Sequence, residues 1–229
     1  MERLENYFSA WVLQYREWII AVTLIVLVVA GNGLRYLGFD TDYRVFFAAD
    51  NPELLAYDAV EKTYTKFDNV FILLAPKNGD IFQHDVLKLT EEITTDAWQI
   101  PYSRRVDSLQ NFQHTYAEDD DLIVESLYEE STSLQAEDIK KIKQIGLSDP
   151  LLVKRLVSAD GRVTALNITI EFPKVSPDAE LRDVVAKTRE MVALYQEKYP
   201  TIDIYTTGIS LLNNAFVEAG ENDLAFLAP

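Results

Sequence analysis

Residues 18–34 read WIIAVTLIVLVVAGNGL, a stretch without charge in which Thr23 and Asn32 are the only polar side chains. A helix rises 1.5 Å per residue and needs about 20 mainly apolar residues to cross a hydrocarbon core of roughly 30 Å. Residues 18–37 reach that length, with Arg35 turning its guanidinium to the interface. Trp11 and Trp18 at one end and Tyr36 at the other fall where an aromatic belt sits. The pattern therefore predicts a transmembrane helix over 18–37 behind a lead of residues 1–17. A cleavable signal is the rival, because VVA at 28–30 fits a small-residue cleavage site. The lead carries Arg3 and Arg16 but also Glu2, Glu5 and Glu17, so it lacks the positive start of a signal peptide. An uncleaved anchor is expected, with the N-terminus cytoplasmic and the large acidic body on the translocated side.

After residue 38 the periodicity changes. Asn51 caps a helix with Pro52 at its first position and Glu53 near the positive end of the dipole. Leu54, Tyr57, Val60, Tyr64 and Phe67 recur at three- and four-residue spacing, which predicts one packed face. NVFILLA at 69–75 is a continuous apolar run closed by Pro76 and the turn KNGD, as expected of a central strand buried on both faces. A helix over 84–98 presents Val86, Leu89, Ile93 and Ala97, and Pro101 separates it from a weaker strand at 104–109. Strand, helix and strand make a first β-α-β unit.

Residues 110–150 are mixed and polar, and predict an insertion with a helix over 136–145 ended by Gly146 and Pro150. Asp160-Gly161 between 151–158 and 162–172 is a hairpin signal, and in the second arm Leu166, Ile168, Ile170 and Phe172 alternate with Asn167, Thr169 and Glu171. Ser176 and Pro177 open a long helix with a stripe of Leu181, Val184, Thr188, Met191, Tyr195 and Tyr199, and Pro200 stops it before a strand at 202–206. Two β-α-β units around an insertion describe an α+β class: one N-terminal transmembrane helix, then a ferredoxin-like (split β-α-β) body over 38–208 with its insertion at about 110–150. Residues 209–229 predict a further helix that ends in an apolar stub, Leu224 to Pro229.

Charge removes several functions. With Lys+Arg 21 against Asp+Glu 37 the formal charge is −16, which repels nucleic acid and leaves no basic stripe to bind it. No cysteine is present, so disulfides and thiolate chemistry are absent. The two histidines, His84 and His114, do not form a defensible serine-histidine-acid set, and we expect no enzyme activity. The run Glu118-Asp119-Asp120-Asp121 lacks the alternating ligands and central glycine of a calcium loop and reads as solvated. Asn167-Ile168-Thr169 matches a glycosylation acceptor but falls in a strand. Eight scattered glycines make no phosphate cradle. No catalytic, cofactor-binding or metal residue is assigned, no cofactor is expected, and the substrate-binding residues stay open.

Asp42-Tyr43-Arg44-Val45-Phe46-Phe47, Asp50-Asn51-Pro52 and the segment RVDSLQNF at 105–112 resemble the start of a resistance-nodulation-division (RND) transporter. The similarity is closer to its lipid-exporter-like branch, the mycobacterial membrane protein large (MMPL) family, and covers nearly the whole chain. That resemblance implies the first transmembrane helix plus the first periplasmic porter loop of an exporter in a bacterial inner membrane, with the main body periplasmic and 209–229 leading toward a second membrane helix that is missing here. Such an exporter is driven by proton-motive force and moves hydrophobic, amphipathic or lipidic molecules. Its implied partners are the lipid bilayer, the remaining transmembrane helices and the second porter loop, with a homo-oligomer or a periplasmic accessory protein left open. The family's proton-carrying carboxylates lie in later helices, so the chain alone is not expected to transport. The alternative is a complete single-pass, membrane-anchored periplasmic binding or sensor module.

Overall fold

The computed structural model describes residues 11–33, 47–63 and 68–227. Two compact units, Met1–Asp40 and Thr41–Pro229, divide the chain. In the first, helix α1 (Arg16–Gly33) buries none of its side chains. Its 18 residues are long and apolar enough to cross a membrane, a test that an N-terminal signal sequence also passes. Residues 34–37 of the predicted span lie outside the described residues.

The second unit is α+β. Helix α2 (Pro52–Thr63) starts as expected: Asn51 Oδ1 accepts from the backbone N–H of Glu53 at 2.9 Å and of Leu54 at 3.1 Å. Of the stripe expected to pack on a sheet or a membrane surface, Leu54 is half-buried, while Tyr57 is 46% and Val60 55% exposed. Tyr64 and Phe67 lie outside the described residues.

Strand β1 (Asp68–Pro76), helix α3 (His84–Ala97) and strand β2 (Ser103–Asp107) form the first β-α-β unit. Strands β3 (Gln113–Glu118) and β4 (Asp121–Ser126) and helix α4 (Ala136–Ser148) belong to the insertion. Strand β5 (Thr164–Ile170), helix α5 (Pro177–Lys198) and strand β6 (Ile202–Thr207) form the second unit, followed by helix α6 (Ile209–Leu227). The sheet runs β2-β5-β1-β6, and every neighbouring pair is antiparallel. The strands of each unit are therefore separated by one strand of the other.

One face of this sheet is dry. Val70 pairs with Ile168, Ile72 with Leu166 and Val106 with Ile168, and all five side chains are buried. α3 and α5 cover that face together: Tyr195 Oη donates to Asp96 at 2.7 Å, and Lys198 Nζ and Tyr199 Oη meet Glu92 at 2.7 and 3.0 Å. The other face differs from the expectation for β1. Phe71, Leu73 and Ala75 are half-buried, as on the wetter face of an antiparallel sheet.

Three further expectations are corrected. Residues 151–158 are turns rather than a hairpin arm, joined to β5 by the bridge Val157↔Thr164 and by Ala165 N–H donating to Leu156 C=O at 2.7 Å. Both edges of β5 are already taken by β1 and β2, which leaves little ladder for a third strand. Gly146 does not end its helix, since α4 runs through it to Ser148. A Cβ there would lie 3.0 Å from Phe82 Cε1, so the glycine allows close helix packing. The insertion, finally, contains the β3–β4 hairpin, which the polar composition of 110–126 does not announce.

The start of β1 and the start of α6 touch. Gly208 turns at φ +116, a conformation that favours glycine, and a Cβ on it would come 2.5 Å from Asn69 O. Ile209 N–H donates to Asn69 Oδ1 at 3.1 Å, while Asn69 Nδ2 donates to Asn167 Oδ1 at 3.1 Å. α6 is then held to α5 by Arg189, whose guanidinium grips Glu218 at 2.6 and 3.0 Å, and by Arg182 to Glu221 at 3.1 Å.

Candidate functional site

The insertion builds a cleft of about 320 Å³ between β4, the segment after it and α4. β3 and β4 pair from Gln113↔Ser126 to Glu118↔Asp121 around the two-residue tip Asp119-Asp120. Asp119 takes φ 52 there, a left-handed turn that aspartate tolerates. In a strand alternate residues share a face, so His114 and Tyr116 point the same way, and their rings stack at 5.5 Å. Lys141 of α4 places Nζ 5.6 Å from the centre of the Tyr116 ring. Glu125 lies opposite His114 in the ladder.

The cleft is fastened to the body through α3. Tyr128 Oη donates to Leu87 C=O at 2.8 Å, and Ser131 N–H donates to Glu91 Oε2 at 2.8 Å. Burial drives the Tyr128 phenol pKa upward, with the Glu91 charge adding to it, so it stays a donor. Tyr116 is also raised, first by desolvation and then by Glu125, which accepts its hydrogen bond, and by Glu118. Asp138 Oδ2 accepts from Gln135 N–H at 2.8 Å and so starts α4.

Apolar side chains of Leu127, Leu134, Ile142 and Ile145 line the cleft together with the Tyr128 ring, and Glu125, Glu129, Glu130 and Asp138 stand around them. Lys141 is the one cationic lysine or arginine in that lining. His114 also lines it, and its Nδ1 is buried without a hydrogen-bond partner among the described residues. Among the described residues no three of His, Asp and Glu gather to hold a metal ion. The arrangement can bind; it displays no nucleophile with a base beside it.

The residues weighed from the sequence scatter. His84 is the exposed first residue of α3, outside the lining of the cleft, whereas His114 is in it. Glu118 to Asp121 form the exposed hairpin end. Asn167 is half-buried in β5 and bonded to Asn69 on the open sheet face, which it shares with Phe71, Leu73 and Tyr205, the last 58% exposed. The cleft itself was missed, and the one signal for its hairpin was the short, β-branched-rich run Leu122-Ile123-Val124 after the acidic turn.

Fold and site define the class as an α+β body carrying an insertion, in a chain that also holds an apolar helix long enough to cross a membrane. No protein-family model and no curated protein matches the chain.

Proposed function

We propose that this chain is the N-terminal portion of an RND-type exporter of the MMPL-like branch. Residues 38–208 then act as a ferredoxin-like, periplasmic porter-type body that handles a hydrophobic or amphipathic substrate outside the membrane. The observation that carries this reading is the order of parts: an apolar, fully unburied α1, then two β-α-β units interleaved as β2-β5-β1-β6 with α3 and α5 on one face. Split β-α-β connections require that interleaving. Phe71, Leu73 and Tyr205 on the open sheet face supply apolar surface for a neighbouring porter element or substrate.

The test is to express the full reading frame that contains this chain and follow efflux of an amphipathic fluorescent probe. Protonophore-sensitive efflux that disappears when residues 68–207 are deleted supports the reading. Efflux indifferent to a protonophore, or to that deletion, refutes it. The second reading, a membrane-anchored binding or sensor module, draws on the ligand-sized cleft. It requires that the reading frame add no further apolar span.

A further inference from the structure

We infer that the cleft between β4 and α4 binds a small organic cation with a short apolar body. The inference uses the cleft alone and does not depend on the exporter reading. Its volume of about 320 Å³ is at the lower end of ligand pockets, which run from about 300 to 1,000 Å³, so the occupant is small. Leu127, Leu134, Ile142 and Ile145 offer an apolar floor, and the buried Tyr128 ring extends it.

The charges then select the sign of the ligand. Glu125, Glu129 and Glu130 belong to no ion pair among the described residues. Asp138, the fourth carboxylate, already accepts from Gln135 N–H. Lys141 lies over the Tyr116 ring and makes no ion pair among the described residues, so its charge offsets only one of the four carboxylates in the lining. The cleft thus presents an excess of carboxylates above an apolar floor, with those of Glu129 and Glu130 exposed at the rim, and a group of opposite charge is attracted there. His114 Nδ1, buried and without a partner, adds an unused polar atom on the same side. An anion meets repulsion at the rim, and a neutral hydroxyl can donate to a carboxylate but gains no charge attraction from it. A protonated amine on a phenyl or short alkyl body satisfies both halves.

The experiment uses the full chain in nanodiscs, with empty nanodiscs as the blank for lipid partitioning. Equilibrium dialysis compares 4-phenylbutylamine with 4-phenylbutanol and 4-phenylbutyrate, which keep the apolar body and change only the charge. We expect saturable binding of the amine, with the alcohol and the acid at least about tenfold weaker. Replacing Glu129→Gln together with Glu130→Gln, both exposed, should weaken the amine about tenfold and leave the thermal melt unchanged. Leu134→Trp, which fills the floor, should abolish binding of the amine; should that variant melt early, the glutamate pair remains the deciding comparison. Equal binding of amine and alcohol, unchanged affinity in the double variant, or no binding above the blank each overturns the inference.

Discussion

Ile168 sits at the centre of the dry sheet face, fully buried in β5 between Val70 on β1 and Val106 on β2. Ile168→Ala removes three carbons, which at about 0.8 kcal/mol per buried methylene costs about 2.4 kcal/mol. A residual cavity of roughly 75 Å³ adds about 1.8 kcal/mol at ~24 cal/mol per Å³. The sum, about 4 kcal/mol, is a large part of a domain's usual 5–15 kcal/mol. Ile168→Asp goes further, because it puts a carboxylate into an apolar layer where no lysine or arginine is buried among the described residues, and we expect the body not to fold. The neighbouring Thr169 faces the other way, opposite Arg105 on β2, so Thr169→Glu should stay within about 0.5 kcal/mol. Pulse proteolysis across a urea gradient, with the chain in nanodiscs, measures all three. The reasoning is refuted if Ile168→Ala costs under about 1 kcal/mol, or if Thr169→Glu costs as much as Ile168→Ala.

Gly208→Ala should destabilise by more than about 2 kcal/mol, since it adds a left-handed strain to a Cβ 2.5 Å from Asn69 O; a melt within a degree of wild type contradicts this. Glu180 accepts from the backbone N–H groups of Lys174, Val175 and Ser176, which hold its carboxyl below the ordinary range, and Glu218 is held down to about 2 by Arg189 and Asn214. Because both are lower folded than unfolded, their contribution is complete above the ordinary carboxylate range and is lost as pH falls through the folded values, for Glu218 toward about 2, so Glu218→Gln should flatten the acid limb of a stability–pH curve. Tyr128→Phe should cost about 1 kcal/mol, read in the same urea assay, through the lost bond to Leu87. A tag ahead of α1 should be protected from protease in spheroplasts and one in the body cleaved; an accessible N-terminal tag overturns the proposed topology.

Much of the sheet was legible because burial imposes a pattern on it. The run at 69–75, the alternation through Ile168 and the stripe of α5 each report a dry face, and the prolines at 76, 101 and 200 mark the breaks between elements. What the pattern could not report was who occupies each edge. Two β-rich arms around Asp160-Gly161 look like a full hairpin until β1 and β2 claim both sides of β5. The β3–β4 hairpin escaped for the opposite reason. Its strands bury no residue fully, so hydrophobic period carries almost no information there, and its tip uses Asp119 in place of glycine. Gly146 misled because a lone glycine in a helix is also how a helix approaches an aromatic ring closely. The cleft inherits that blindness, since it lies between the hairpin and the helix that Gly146 continues.

The contact of Asn69 with Gly208 and Ile209 makes α6 a lever with its fulcrum on a central strand. β1 has a neighbour on either side, so a torque entering at its first residues is delivered to the middle of the sheet rather than to a pliable margin. The two arginine clamps on Glu218 and Glu221 set the arm's rest angle against α5. A tilt of α6 would load those surface ion pairs and the Asn69 contact together, and through Asn69 it would reach β1.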